Sequence, residues 1–176
     1  MDRFNIMNNM KTHATENAQS LVEFAVSAIV ILLLLVGIAD FGRAFFTYLT
    51  LRDAAQEGAV YASMCPIHLD GIENRIRSAS NRPVDLSNNT QVIFECHYLY
   101  DSNGDGNINQ IPCHNQYSNI LEFPLPGHGV RIRVIYPNFT ITMPMLGSII
   151  GQNITLRAEV TDTILLPPTP PDEPCP

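Results

Sequence analysis

The sequence predicts an α+β protein in which a long N-terminal helix, membrane-spanning in front and amphipathic behind, packs on a small antiparallel β-sheet head. Three observations predict it. Leu21 to Ala39 carries no charge except Glu23, and about 19 residues at about 1.5 Å rise give about 28 Å, the thickness of a bilayer core. From Phe41 onward, apolar or small residues fall at Phe41, Phe45, Tyr48, Ala55, Ala59 and Ala62, with steps near three or four and no intervening proline. Beyond Met64, three segments alternate apolar and polar residues, as strands covered on one face do.

Composition sets the bounds. The chain has 176 residues, 45% of them hydrophobic, and its mean hydropathy is near neutral, so it is neither wholly membrane-embedded nor disordered. The about 110 residues after Met64 suffice for one small domain, not two. A net charge of -7 and a pI near 5.0 leave no clustered Lys and Arg for nucleic acid. The flanking charges, Arg3 and Lys11 before the apolar run and Arg43 and Arg52 after it, do not set the orientation. All four cysteines follow the apolar run, which fits an oxidising compartment for that side.

In order, residues 1–18 are polar and lack the apolar run of a secretory signal. Residues 19–64 form the rod. Asp40 and Arg43 stand three apart on one helix face and mark the membrane exit, while Gly37, Gly42 and Gly58 are its weak points. Cys65-Pro66 ends it, since proline disfavours helical geometry in the residue before it. Gly71 to Ser80, with Ile72, Ile76 and Ala79 at helical spacing, predicts a short second helix, and Asn81 to Thr90 a loop. Val92 to Tyr100, Val130 to Tyr136 and Ile154 to Thr161 predict strands, for which the amphipathic half of the rod is the natural cover. The head spans 65–166, and 167–176 is a proline-rich, acidic, extended tail.

One boundary is unusual. Ala18 is followed by Gln19, Ser20, Leu21, Val22 and Glu23, then by sixteen uncharged residues. A small residue, a four-residue spacer, a Glu and a membrane helix resemble the processing site of type IV prepilins. With Asp40-Phe41-Gly42-Arg43-Ala44 and the Ala54 to Ala62 segment AAQEGAVYA, the stretch resembles the TadE-like family, pilin-like proteins of tight-adherence (Flp-type) pilus systems. The resemblance covers about a quarter of the chain, and its motifs are specific in combination. It departs from the family at Ala18, where Gly is usual.

The resemblance implies a prepilin-type leader, 1–18, cut by a prepilin peptidase between Ala18 and Gln19. It also implies a type IV pilin-like layout and a single-pass cytoplasmic-membrane protein whose head lies outside the cytoplasm or in an extracellular pilus. The expected partners are the peptidase, other pilin-like subunits, and the inner-membrane assembly platform with its ATPase. The head is larger than the small major pilins of Flp fibres, which points to a minor pilin or pseudopilin. Glu23 is then the assembly residue, pairing with the N-terminal amine of a neighbouring subunit; two groups costly alone in lipid neutralise each other when paired. Read without the resemblance, a carboxylate one turn into a membrane helix sits at headgroup level near the helix's positive end. The rival class is a membrane-anchored calcium-binding or adhesive module outside any filament.

Asp101, Asn103, Asp105 and Asn109 place side-chain oxygens at positions 1, 3, 5 and 9 of an EF-hand-type loop, Gly106 occupies position 6, and Asn107 offers its carbonyl. Position 12, normally a bidentate Glu, is Pro112, so an acid such as Glu122 would have to come from elsewhere. The expectation is weak calcium binding, on the order of 0.1 to 1 mM; a plain polar turn has the same composition. Cys96 and Cys113 bracket this loop, and a bridge between them would leave Cys65 and Cys175 as the second pair, pinning the tail. Four cysteines allow three connectivities, and the sequence does not choose. The Cys96-His97 and Cys113-His114 dipeptides do not make a zinc site, because strand neighbours point to opposite faces. Asn88, Asn138 and Asn153 begin N-x-[ST] triplets, a weak signal. No catalytic set stands out, and His68 and His128 have no nucleophile near them in sequence.

Overall fold

The computed structural model describes residues 3–88, 91–102, 104–113, 125–143, 147–148, 151–167 and 175, with side chains from Gln19 onward. Helix α1 runs unbroken from Arg3 to Met64, followed by α2 (Leu69–Ser78) and strands β1 (Ile93–Tyr100), β2 (Asn109–Pro112), β3 (Gly129–Thr140) and β4 (Asn153–Thr163). The strands form one antiparallel sheet in the order β2-β1-β3-β4. One face of it packs on the C-terminal half of α1, giving the α+β layout that the alternation and the amphipathic rod predict.

Small residues let the rod lie close to the sheet. Leu51, Ala54, Ala55, Ala59 and Ala62 are fully buried against Val130, Ile132, Val134 and Ala158. With Asp40 and Thr47 they trace one stripe at helical spacing. This corrects the stripe drawn through the aromatic residues: Phe41, Phe45 and Tyr48 are exposed, and only its alanine portion faces the head. The aromatic rings, too bulky for the close rod–sheet contact, lie outside it, and Phe41 stacks on Phe45 at 6.3 Å.

Gly58 is a contact point rather than a weakness. A Cβ there would come within 2.5 Å of Ile76, which α2 presses into the core. In α2, which starts two residues earlier than predicted, Ile72 and Ile76 are buried, but Ala79 lies past its end and is exposed. Asp70 in the first turn and Arg75 and Arg77 in the last suit the helix dipole. On the outer face of the sheet Arg133 sits between its register partners Glu95 and Glu159, at 2.9 and 2.7 Å, the expected polar face of a half-covered sheet.

β2 adds a strand where the sequence carries no strand signal. It has four residues and no alternation of burial, and it pairs because the Asp101–Asn109 turn folds the chain back on β1. β3 continues past Pro137 through a register irregularity between Tyr136 and Phe139, so that Phe139 returns to the buried side.

Candidate functional site: the rod and its junction with the head

In the apolar run from Leu21 to Ile38 nearly all the large side chains are exposed in the isolated chain, and its most apolar 18-residue window has a mean hydropathy of 2.8 with none of its residues buried. Among the described residues only Met143 of the head touches this surface, at Gly37, so most of it is left for lipid or other helices. By length and composition the helix is fit to cross a membrane.

Glu23 lies on this surface. Its carboxylate accepts a 3.1 Å hydrogen bond from the Gln19 side-chain amide, one turn earlier, which satisfies one oxygen without neutralising the charge. No cation is bonded to it among the described residues. Gln19 and Glu23 are thus brought together as neighbours on one helix face, while the side chain of Ala18 lies outside the described residues. The backbone is helical across the Ala18–Gln19 bond.

The junction with the head is built by Asp40 and Arg43. Asp40 is only 6% exposed and accepts hydrogen bonds from the backbone N–H groups of Thr142 (2.9 Å) and Met143 (2.7 Å), just past β3. Arg43 donates to Asp40 (3.3 Å) and to the Thr142 hydroxyl (2.6 Å), and its guanidinium lies over the Phe139 ring at 5.5 Å. The two residues therefore do more than mark a membrane exit: they clasp the end of β3 and the chain leaving it. Charge-assisted bonds to otherwise unpaired N–H groups are among the stronger kinds. Met143 lies against Gly37, its sulfur 3.7 Å from where a Cβ would stand, and closes one side of an open apolar groove of about 410 Å³ lined also by Val30, Leu34 and Phe41.

The far end of the amphipathic half is tied as well. Cys65 bonds to Cys175, the buried Tyr98 hydroxyl donates to the Pro66 carbonyl, and Leu165 N–H donates to the Ser63 carbonyl at 2.8 Å. The second disulfide joins Cys96 to Cys113 across the β1–β2 turn. Of the three connectivities open to the sequence, this is the one that pins the tail.

In that turn Asp101 accepts from the N–H groups of Gly104 (2.8 Å) and Gly106 (2.9 Å), Asp105 accepts from Asn107 N–H (2.8 Å) and side-chain amide (3.0 Å), and the Asn109 amide donates to Ser102. The Asn107 bonds outweigh partial desolvation and hold the Asp105 carboxyl below its ordinary range. Gly104 and Gly106 have φ of 70° and 82°, the left-handed backbone that glycine supplies at no steric cost. As a calcium site the turn has two carboxylates and amide oxygens. Pro112 lies in β2 and supplies no side-chain oxygen, and no group of three His, Cys, Asp or Glu assembles among the described residues. Asn103 and Glu122 lie outside them. The fit is that of a sparse site, without the bidentate acid that makes such loops tight.

The residues that carry the apolar run, its single acid and the Asp40–Arg43 clasp fall within 18–60, and this stretch matches the family model described as TadE-like protein. Over these residues the rod is similar to TadE-like proteins. The match ends before the head, and no curated protein or solved structure matches the chain. The TadE-like segment thus contains the membrane-apolar surface, the Gln19–Glu23 pair and one of the two ends by which the rod grips its head.

Proposed function

We propose that the protein is a pilin-like subunit, a minor pilin or pseudopilin, of a tight-adherence pilus or secretion system, with a structural rather than catalytic role. The observation that carries this reading is the TadE-like rod whose apolar surface, with Glu23 on it, is left largely uncovered by its own head. A prepilin peptidase cuts between Ala18 and Gln19, and the new amine of one subunit pairs with Glu23 of the next as the helices pack. The partners are the peptidase, other pilin-like subunits and the inner-membrane platform, and the disulfide-bonded head lies outside the cytoplasm. Determination of the mature N-terminus tests this. A chain beginning at Gln19 supports it; an intact Met1 in cells with active peptidase would favour a membrane-anchored adhesive module. At the Asp101–Asn109 turn we propose calcium binding on the order of 0.1 to 1 mM. Calorimetry of the folded protein with no calcium heat at about 10 mM, well above that range, would remove the claim.

A further inference from the structure

The chain between β3 and β4 does not behave like an ordinary head loop. From Ile141 to Gly151 the sequence ITMPMLGSIIG has no charged residue and six large aliphatic or thioether side chains. Its base is closed by Ile141 N–H on the Gln152 carbonyl (2.9 Å), and Gly147 N–H turns back onto the Met143 carbonyl (3.0 Å). Its first residues are fixed to the rod by Asp40 and Arg43. The height at which they are fixed is decisive. Met143 lies beside Gly37, below Asp40 and inside the apolar run that ends at Ala39. If that run is in hydrocarbon, so is the Met143 side chain, while Asp40, Arg43 and Thr142 form a polar layer directly above it. The groove between Met143 and the rod is lined by Val30, Leu33, Leu34, Gly37 and Ile38 of the same run, with Phe41 at its upper end, and most of these side chains are exposed in the isolated chain.

We propose that Met143, at the start of the β3–β4 connection, is a second membrane contact: held against Gly37, it sits in the acyl-chain boundary of the bilayer beside the rod, and an acyl chain fills the groove between them. One span alone leaves the head free to swivel and tilt. A second contact at a set depth fixes its height and its facing, so that subunits present the same side to a growing assembly. The inference rests on the reading of the rod as membrane-spanning, and the test separates the two.

The chain has no tryptophan, so single-tryptophan variants give an unmixed signal. Met143→Trp, Leu35→Trp on the rod one turn or less from Gly37, and Ile108→Trp on the exposed β1–β2 turn are compared in the full chain, one copy per nanodisc, with and without brominated phosphatidylcholine. Met143→Trp is expected to lose emission in brominated lipid to the extent that Leu35→Trp does, while Ile108→Trp loses none. Loss at Leu35 but not at Met143 would overturn the second contact and leave the spanning rod intact. No loss at either would overturn the spanning reading, and the second contact with it. A Met143 signal that is blue-shifted yet unquenched in bromolipid would assign the face to protein and also overturn the proposal.

Discussion

Asp40 and Gly58 show how much two residues of one helix decide. Asp40 accepts from two N–H groups at the rim of the head; Asp40→Asn keeps an oxygen to accept them but loses the charge that strengthens the bonds, and should lower the melting temperature as read by thermal unfolding in detergent. At Gly42 nothing lies within 4 Å of where a Cβ would stand, so Gly42→Ala should be neutral or slightly stabilising in the same assay. Gly58→Ala should destabilise by about 1 to 3 kcal/mol, because the new methyl meets the buried Ile76 and overpacking outweighs the gain in helix propensity. Glu159 carries a pH prediction. Its hydrogen bond to Arg133, against partial desolvation and with the charges of Arg131, Arg133 and Arg157, holds its carboxyl below the ordinary value of 4.5. Its contribution is therefore present above that value and is lost as pH falls through the lower, folded one. Glu159→Gln should flatten the acid limb of a stability-versus-pH curve by lowering stability slightly near neutral pH and leaving it unchanged at low pH, the loss being small because the pair is partly solvent-exposed.

Among the described residues, the helices and strands β1, β3 and β4 are legible in the sequence because their signal is periodic and local. Val130, Ile132 and Val134 bury alternately, and Ile72 and Ile76 bury one turn apart, at the spacing read from the sequence. What is not legible depends on distant partners. β2 is a strand only because β1 is beside it. The rod's buried face is chosen by how closely alanine and glycine let the sheet and α2 approach, which is why aromatic residues at helical spacing misplace it. The Asp40 clasp reaches residues 102 and 103 positions away, and no pattern in the helix announces it. The disulfides fall between these cases: the residues are plain, while the pairing needs the fold. Breaking Cys96–Cys113, which closes a span of 17 residues, with paired serine substitutions should cost about 2 to 4 kcal/mol in the head's unfolding free energy.

For the whole molecule, the head grips the rod at both ends of its amphipathic half, at Asp40 and at Cys65, about 37 Å apart along a helix of about 1.5 Å rise per residue. Movements of the rod are therefore passed to the head as a unit, while the apolar half is left largely bare for lipid or for neighbouring helices. Glu23 sits on that bare half, accepting a hydrogen bond from the Gln19 amide, and the proposed assembly role gives it the amine of a neighbouring subunit as partner. Glu23→Ala should leave membrane insertion unchanged, since removing a charge lowers the cost of burial in lipid, and should abolish recovery of the chain in sheared surface filaments. The most direct test of the central claim is mass spectrometry of the chain's N-terminal peptide in that sheared fraction. A peptide beginning at Gln19 is expected, present with wild-type chain and absent with Glu23→Ala. A chain found only in membranes, with Met1 intact and indifferent to Glu23, would contradict it.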